Sequence, residues 1–198
     1  MNMKHIAGCL KSHGYVTIED SLPATLLANL RKRCDRNGEE HFSPARIGRD
    51  SQRQLRESVR GDVIHWLDAS NADARLFFSL MDRLRRCLNE ALYLGLFAYE
   101  CHYAIFGAGA FYQKHLDVLQ GGDNRLLSTV VYLDDEWTAT DGGELILYAS
   151  DQSVVARVLP APGRMVIFLS ADFPHEVLAA QHERHSISGW FRGRALAS

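Results

Sequence analysis

Phe111-Tyr112-Gln113-Lys114-His115-Leu116-Asp117 is the stretch on which the reading of the whole chain turns. On an extended strand, side chains i and i+2 point to the same face, so an imidazole and a carboxylate separated by one residue can grip one small ion. Such an ion must accept nitrogen and oxygen together. His-x-Asp alone is a common surface pair, and its partners decide what it means.

Two histidines and one carboxylate on one triangular face of an octahedron, with the other positions open, form the donor set of non-heme Fe(II) oxygenases. That pattern requires a second histidine on another strand, far downstream. Phe173-Pro174-His175-Glu176-Val177 supplies it. Three ligands on separate strands also suit a cupin metal site, so what fills the open positions becomes the question. The strand Arg184-His185-Ser186-Ile187-Ser188-Gly189-Trp190-Phe191-Arg192 answers it. Period two puts Arg184, Ser186, Ser188 and Trp190 on one face: a guanidinium fork, two small hydroxyl residues that leave room, and an aromatic wall. Arginine holds a carboxylate through two parallel hydrogen bonds, which lysine cannot reproduce, so this face reads as a pocket for a dicarboxylate.

Working outward, the pattern changes character near residue 99. Before it, helical spacing dominates: Met3, Ile6, Ala7 and Leu10, stopped by Gly14; then Leu26, Leu27, Leu30 and Cys34 after a candidate N-cap at Ser21, stopped by Gly38; then a long stripe through Leu76, Phe77, Leu80, Leu84, Leu88, Ala91 and Leu92 behind a candidate cap at Asn71. Short strands are expected at Tyr15 to Glu19 and from Val63 to Leu67. From Tyr99 onward about eight short β-rich runs alternate with Gly, Asp and Pro turns, the pattern of a jelly roll. The expected fold is mainly β with supporting helices, a double-stranded β-helix (jelly-roll) barrel. Residues 1–198 read as a single domain, with 1–98 giving helical support and a substrate flap and 99–192 the β-helix core.

Composition bounds the function. With 22 Lys and Arg against 24 Asp and Glu, a formal charge of −2 and 46% hydrophobic residues, the chain is an ordinary globular protein with no call for nucleic acid. Cys9, Cys34, Cys87 and Cys101 form no Cys-x-x-Cys pair, which argues against a zinc ribbon or dithiol site and favours a reducing, cytoplasmic setting. No apolar run approaches the length of about 18 residues that a membrane span needs, and no signal core opens the chain. Residues 42–61 carry Arg46, Arg49, Arg53, Arg56 and Arg60 against Asp50 and Glu57, a solvated loop or a basic flap over a site. Trp66 and Trp137 read as core or turn anchors, Cys101 as a packed thiol, and His102, His182 and His185 as non-ligands.

The His115-x-Asp117, His175 and Arg184 set, in this order, resembles the prolyl 4-hydroxylase superfamily of Fe(II) and 2-oxoglutarate-dependent dioxygenases. Arg60-Gly61-Asp62 with Trp66, Tyr132-Leu133 with Trp137, and Gly142-Gly143-Glu144-Leu145 look like its compact branch of hypoxia-factor prolyl hydroxylases and their bacterial counterparts. The resemblance implies Fe(II) on His115, Asp117 and His175, with Arg184 clamping the distal carboxylate of 2-oxoglutarate and Tyr132 donating a hydrogen bond to it. Ser128 shares the parity of Tyr132. It further implies hydroxylation driven by O2 and decarboxylation of 2-oxoglutarate to succinate, with ascorbate stimulating. One departure stands out: the branch's tyrosine before the Gly-x-Gly turn is replaced, since Ile105-Phe106 precede Gly107-Ala108-Gly109, and Tyr103 is the expected substitute. The implied substrate is a prolyl residue in a protein or peptide, met by Arg60, Asp62 and Trp190, the chain acting as a monomer or homodimer. A free amino acid or other small-molecule substrate, a non-catalytic cupin-like 2-oxoglutarate or metal sensor, and a cupin-type isomerase or zinc enzyme are the alternatives.

Overall fold

Glycine and asparagine punctuate the helical half as the spacing predicts. In a computed structural model describing residues 1–36, 42–45, 60–118 and 124–194, helix α1 (Met3–His13) starts at Asn2, whose side chain accepts from His5 N at 3.2 Å. It ends at Gly14, whose φ of 77° lets its N–H reach the Leu10 carbonyl at 3.0 Å. Helix α2 spans Ala24–Arg36. Ser21 does not cap it: the Ser21 hydroxyl donates to Gly163 O at 2.7 Å, tying the approach to this helix to a distant turn. Gly38 and the cluster Arg46, Asp50, Arg49, Arg53, Arg56 and Glu57 lie outside the described residues.

Helix α3 (Ala72–Leu92) is capped by Asn71, which accepts from Ala74 N at 2.9 Å. It buries Ala74, Phe77, Met81, Leu84 and Leu88. Leu76 departs from the expected stripe and is 49% exposed, because a residue one position from Phe77 sits about 100° round the helix.

The strands that follow make two antiparallel sheets. With β1 (Tyr15–Ile18), β2 (Ser43–Pro44), β3 (Asp62–Trp66), β4 (Ala98–Phe106), β5 (Tyr112–His115), β6 (Arg125–Tyr132), β7 (Leu145–Tyr148), β8 (Val154–Val158), β9 (Met165–Leu169), β10 (His175–Val177) and β11 (Arg184–Arg192), the larger sheet runs β1-β9-β6-β11-β4-β3-β2 and the smaller β5-β10-β7-β8. The larger sheet therefore draws β1 and β3 from the N-terminal half. One of its faces, with Cys101, Tyr103, Leu127, Val131, Ile187 and Phe191, joins the helices in one apolar core. The other, with Tyr132, Val166 and Phe168, packs against Leu145, Leu147 and Val158 of the smaller sheet. The result is three layers, helices on sheet on sheet, and fully burying each such Leu or Phe contributes about 1.5–3 kcal/mol. The jelly-roll architecture expected from the strand spacing is the one present.

Register positions the site. In the larger sheet Arg184 pairs with Phe106, Ser186 with Ala104 and Tyr132, and Trp190 with Glu100 and Ser128, so all of these lie on the face turned to the smaller sheet. In the smaller sheet His175 pairs directly with His115.

Candidate active site

That pairing brings together two imidazoles far apart in sequence, their ring centroids 4.2 Å apart. Asp117 leaves β5 and turns its carboxylate between them, with Oδ1 3.7 Å from His115 Nε2 and Oδ2 3.7 Å from His175 Nε2. The three donors lie within 4.8 Å of one another. Backbone carbonyls set both tautomers: His115 Nδ1 donates to Gln113 O at 2.8 Å and His175 Nδ1 to Phe173 O at 3.0 Å. Each Nε2 lone pair is thereby left to face the centre. Ser128 Oγ donates to Asp117 Oδ2 at 2.6 Å and lies 2.9 Å from Ser170 Oγ.

Electrostatics prepares the same centre. Burial alone would raise the Asp117 carboxyl, yet the neighbouring His175 and His115 rings and the hydrogen bond from Ser128 hold it far below the usual carboxylate range. Burial pushes His175 down to about 4, against the pull of Asp117. At neutral pH the pair is a carboxylate and a neutral imidazole, as metal ligation requires. Two nitrogens and one oxygen, with no further metal donor clustered with them among the described residues, fit Fe(II).

Along the sheet from this centre lies a buried cation. Arg184 is 2% exposed, and its guanidinium donates through Nη1 to Gly143 O at 2.8 Å. The backbone comes this close because Gly142 and Gly143 both take positive φ, and a Cβ at Gly143 would meet Ala180 Cβ at 2.9 Å. Among the described residues Arg184 Nε has no hydrogen-bond partner, nor do the buried Tyr132 Oη and Ser186 Oγ. The guanidinium carbon sits over the Phe106 ring, 4.3 Å from its centroid, and 5.7 Å from the centroid of the Tyr132 ring. Burial pulls the Arg184 guanidinium down, opposed by Tyr132, Asp62 and Asp134. A buried charge with spare donors and, among the described residues, no carboxylate paired with it is costly unless a ligand supplies the anion. The orphaned donors fit the distal carboxylate of 2-oxoglutarate.

Tyr103 does not join this group. It belongs to the opposite face of β4, in the core with the helices, and lines a separate polar cavity of about 210 Å³ with Arg33, His65 and Asn71. On β4 the residue beside the Arg184 guanidinium is Phe106, which offers a ring and no hydroxyl. Ser128 faces the site as its parity implies, but at Asp117 and not at the anion end. Arg60 and Asp62 form a two-pronged ion pair at 2.5 and 2.8 Å, and Arg60 Cζ sits 4.7 Å over the Tyr112 ring, which stacks on His115 at 3.6 Å. Trp190 is buried with Nε1 unpartnered among the described residues, and Arg125 Cζ lies 3.7 Å over its ring. Trp66, expected as a core or turn anchor, is 47% exposed, while Trp137 does anchor a turn by donating to Gly142 O at 2.9 Å.

Several contributors carried no sequence signal as ligands. His102 lies on the inner face between Trp66 and Trp190, at ring distances of 5.1 and 5.4 Å, and burial, aided by Arg60, pushes it down to about 4. Ser170, Phe106 and Arg125 enter through sheet register, which no single segment encodes. Tyr112, three residues before His115, was within reach of the motif. Cys101 is packed in the helix-side core, and His182 and His185 lie away from the metal donors, each beside an aspartate.

A two-histidine, one-carboxylate centre between the sheets of a jelly roll, with a buried arginine beside it, defines the class of non-heme iron, 2-oxo-acid-binding folds. The sequence profile of the 2OG-Fe(II) oxygenase superfamily matches residues 101–192. The crystal structure of a Pseudomonas putida prolyl-4-hydroxylase superposes with a TM-score of 0.88 at 39% identity, covering 98% of this chain and 100% of that one. The chain belongs to the 2OG-Fe(II) oxygenase superfamily. A Trichoplax adhaerens prolyl hydroxylase in complex with a hypoxia inducible factor peptide fragment shares the fold, with a TM-score of 0.86 at 24% identity over 96% of this chain and 88% of that one. The hypoxia-inducible factor prolyl hydroxylase of Caenorhabditis elegans is 27% identical over 98% of this chain, which spans 29% of that protein's length.

Proposed function

We propose that the chain is an Fe(II)- and 2-oxoglutarate-dependent dioxygenase that hydroxylates a prolyl residue in a polypeptide. The observation that carries this is the buried Arg184, with a free Nε and the orphaned Tyr132 hydroxyl on the face that also carries Ser128 and, through it, the Asp117 carboxylate. His115, Asp117 and His175 hold the metal, and Arg184 with Tyr132 holds the distal carboxylate of the co-substrate. Bound there, Fe(II), 2-oxoglutarate and O2 supply the oxidation of an unactivated C–H bond, with succinate and CO2 as co-products. The chain's own residues do the rest. Carbonyl-bonded imidazoles keep their Nε2 lone pairs available, Ser128 fixes the carboxylate, and Trp190 and Phe168 wall the chamber against water.

The prolyl assignment draws on the Pseudomonas putida prolyl-4-hydroxylase and on the peptide held by the Trichoplax adhaerens protein. Arg60, Asp62 and Trp190 line the approach a peptide takes. Ascorbate serves to keep the iron reduced, and four unpaired cysteines suit a cytoplasmic setting. Among the described residues no helix is long and apolar enough to cross a membrane.

The test is succinate formation from 2-oxoglutarate with Fe(II), ascorbate and O2, comparing the parent with Asp117→Ala and Arg184→Ala, against proline-containing peptides and free proline. Succinate stimulated by peptides, and lost in both variants, is the expected result. Stimulation by free proline alone would move the substrate to a small molecule. No succinate from a metal-loaded protein that still binds 2-oxoglutarate would leave a sensor.

A further inference from the structure

Arg184 and Tyr132 sit on different strands, and among the described residues no hydrogen bond joins their side chains, whose one contact is the guanidinium 5.7 Å from the ring. The fastening lies on the other side of the sheet. Tyr132 is the last residue of β6 and Arg184 the first of β11. The buried Asp134, two residues past the end of β6, grips His185, the second residue of β11, twice: Oδ2 accepts the His185 main-chain N–H at 2.8 Å, and Oδ1 accepts from Nδ1 at 2.8 Å. Leu133 N then donates to His185 O at 3.0 Å. Three bonds close the two strand ends, one step before the ladder pairs Ser186 with Tyr132.

The surroundings hold that carboxylate in place. Arg31 Nε of α2 lies 3.3 Å from Asp134 Oδ1, and His185 Nε2 has Glu183 Oε1 at 3.0 Å and Asp35 Oδ1 at 3.7 Å. For folding alone this is a poor choice, since a well-packed apolar pair avoids the desolvation of a buried charge. What the pair adds is geometry. Because side chains alternate across a strand, fixing both the backbone and the ring of His185 fixes the direction in which Arg184 leaves the opposite face. Asp134 is also among the negative charges that offset the burial of the Arg184 cation.

We propose that Asp134 and His185 are positioning residues for the 2-oxo-acid clamp, holding the ends of β6 and β11 so that Tyr132 Oη and Arg184 Nε meet one carboxylate. This rests on the reading of Arg184 and Tyr132 as the distal-carboxylate site. Neither positioning residue touches the ligand.

The experiment compares parent, His185→Phe, His185→Asn, Asp134→Asn and Arg184→Gln, each loaded with Mn(II), by calorimetric titration with 2-oxoglutarate and with 2-oxobutanoate. The second acid has the same metal-binding head and no distal carboxylate. His185→Phe and Asp134→Asn are expected to weaken 2-oxoglutarate binding about ten-fold and to leave 2-oxobutanoate and Mn(II) binding within two-fold. His185→Asn keeps a donor near the Nδ1 position and is expected to recover most of the loss. With Fe(II), KM for 2-oxoglutarate should rise in step while kcat at saturation holds. Equal loss for both acids marks a general disruption and overturns the inference, as does 2-oxoglutarate binding within two-fold of the parent in both variants while Arg184→Gln abolishes it. If Arg184→Gln binds 2-oxoglutarate as the parent does, the clamp itself is wrong and the positioning role falls with it.

Discussion

The Ser128 hydroxyl donates to Asp117 Oδ2 at 2.6 Å, and Ser170 Oγ stands 2.9 Å behind it. The single carboxylate of the centre is therefore held from the other sheet, by β6, and not by its own strand, which matters because Asp117 lies just beyond the end of β5. Groups that orient a metal ligand are commonly worth about 10–100-fold in metal affinity. Ser128→Ala should weaken Fe(II) binding within that range, read by anaerobic titration, with unfolding unchanged. An unaltered metal affinity would show that Asp117 is oriented without Ser128.

Tyr132 separates binding from folding. Its hydroxyl is buried with no partner, a situation that costs a folded protein about 1–3 kcal/mol, whereas a hydrogen bond to a charged ligand contributes about 1.5–3 kcal/mol. Tyr132→Phe should thus leave the ligand-free protein as stable as the parent or more so, while 2-oxoglutarate affinity falls about ten-fold or further. Thermal melts with and without 2-oxoglutarate check both halves. A loss of stability without ligand would mean that the hydroxyl serves the fold.

Much of this site was legible because its residues alternate along strands whose two faces differ. Arg184, Ser186, Ser188 and Trp190 share a face by parity alone, and the structure keeps them together. Tyr103 was not legible, for a physical reason. Cys101, Tyr103 and Ile105 alternate with His102, Ala104 and Phe106, and β4 is buried on both sides, so neither parity is marked as inward by polarity. Only the pairing of Phe106 with Arg184 settles it. Trp66 misleads in the opposite way: a tryptophan at the end of β3, beside the Trp190 ring, is left half open. The helices were the easier part, since Asn71 and Gly14 act through local geometry that sequence carries directly.

Two glycine substitutions should move stability in opposite directions. A Cβ at Gly189 would strike Tyr99 Oη, with Tyr99 Cζ at 2.7 Å and Cys101 Cβ at 2.8 Å. Tyr99 is held by Thr129 at 2.9 Å and cannot step aside without breaking that bond. Gly189→Ala should cost about 1–3 kcal/mol or more through overpacking, whereas Gly8→Ala, on the open face of α1 with nothing within 4 Å, should gain about 0.5–1 kcal/mol. Denaturant unfolding of both variants measures the pair, and a neutral Gly189→Ala would mean that β11 and β4 separate more easily than their packing implies.

Acid should loosen the metal-free protein through its buried histidines before the Asp117 carboxylate titrates. Burial pushes His102 down to about 4 from an ordinary 6.5, with Arg60 adding to the shift and Asp62 opposing it, and His175 moves the same way. Between those values the unfolded chain binds protons that the folded one refuses, so stability is full above about pH 6.5 and falls as pH drops toward 4. Each such imidazole steepens the loss by about 1.4 kcal/mol per pH unit. Asp117 acts lower: its folded carboxyl is depressed, so its contribution is present above the ordinary 3.8 and is lost only below it. Denaturation of the metal-free protein at pH 4.5, 5.5 and 6.5 therefore isolates the histidines. His102→Gln, which cannot titrate, should flatten the dependence by about the contribution of one proton. A dependence as steep as the parent's would mean that His102 takes up its proton without unfolding the chamber, and would place the acid sensitivity elsewhere on the inner face.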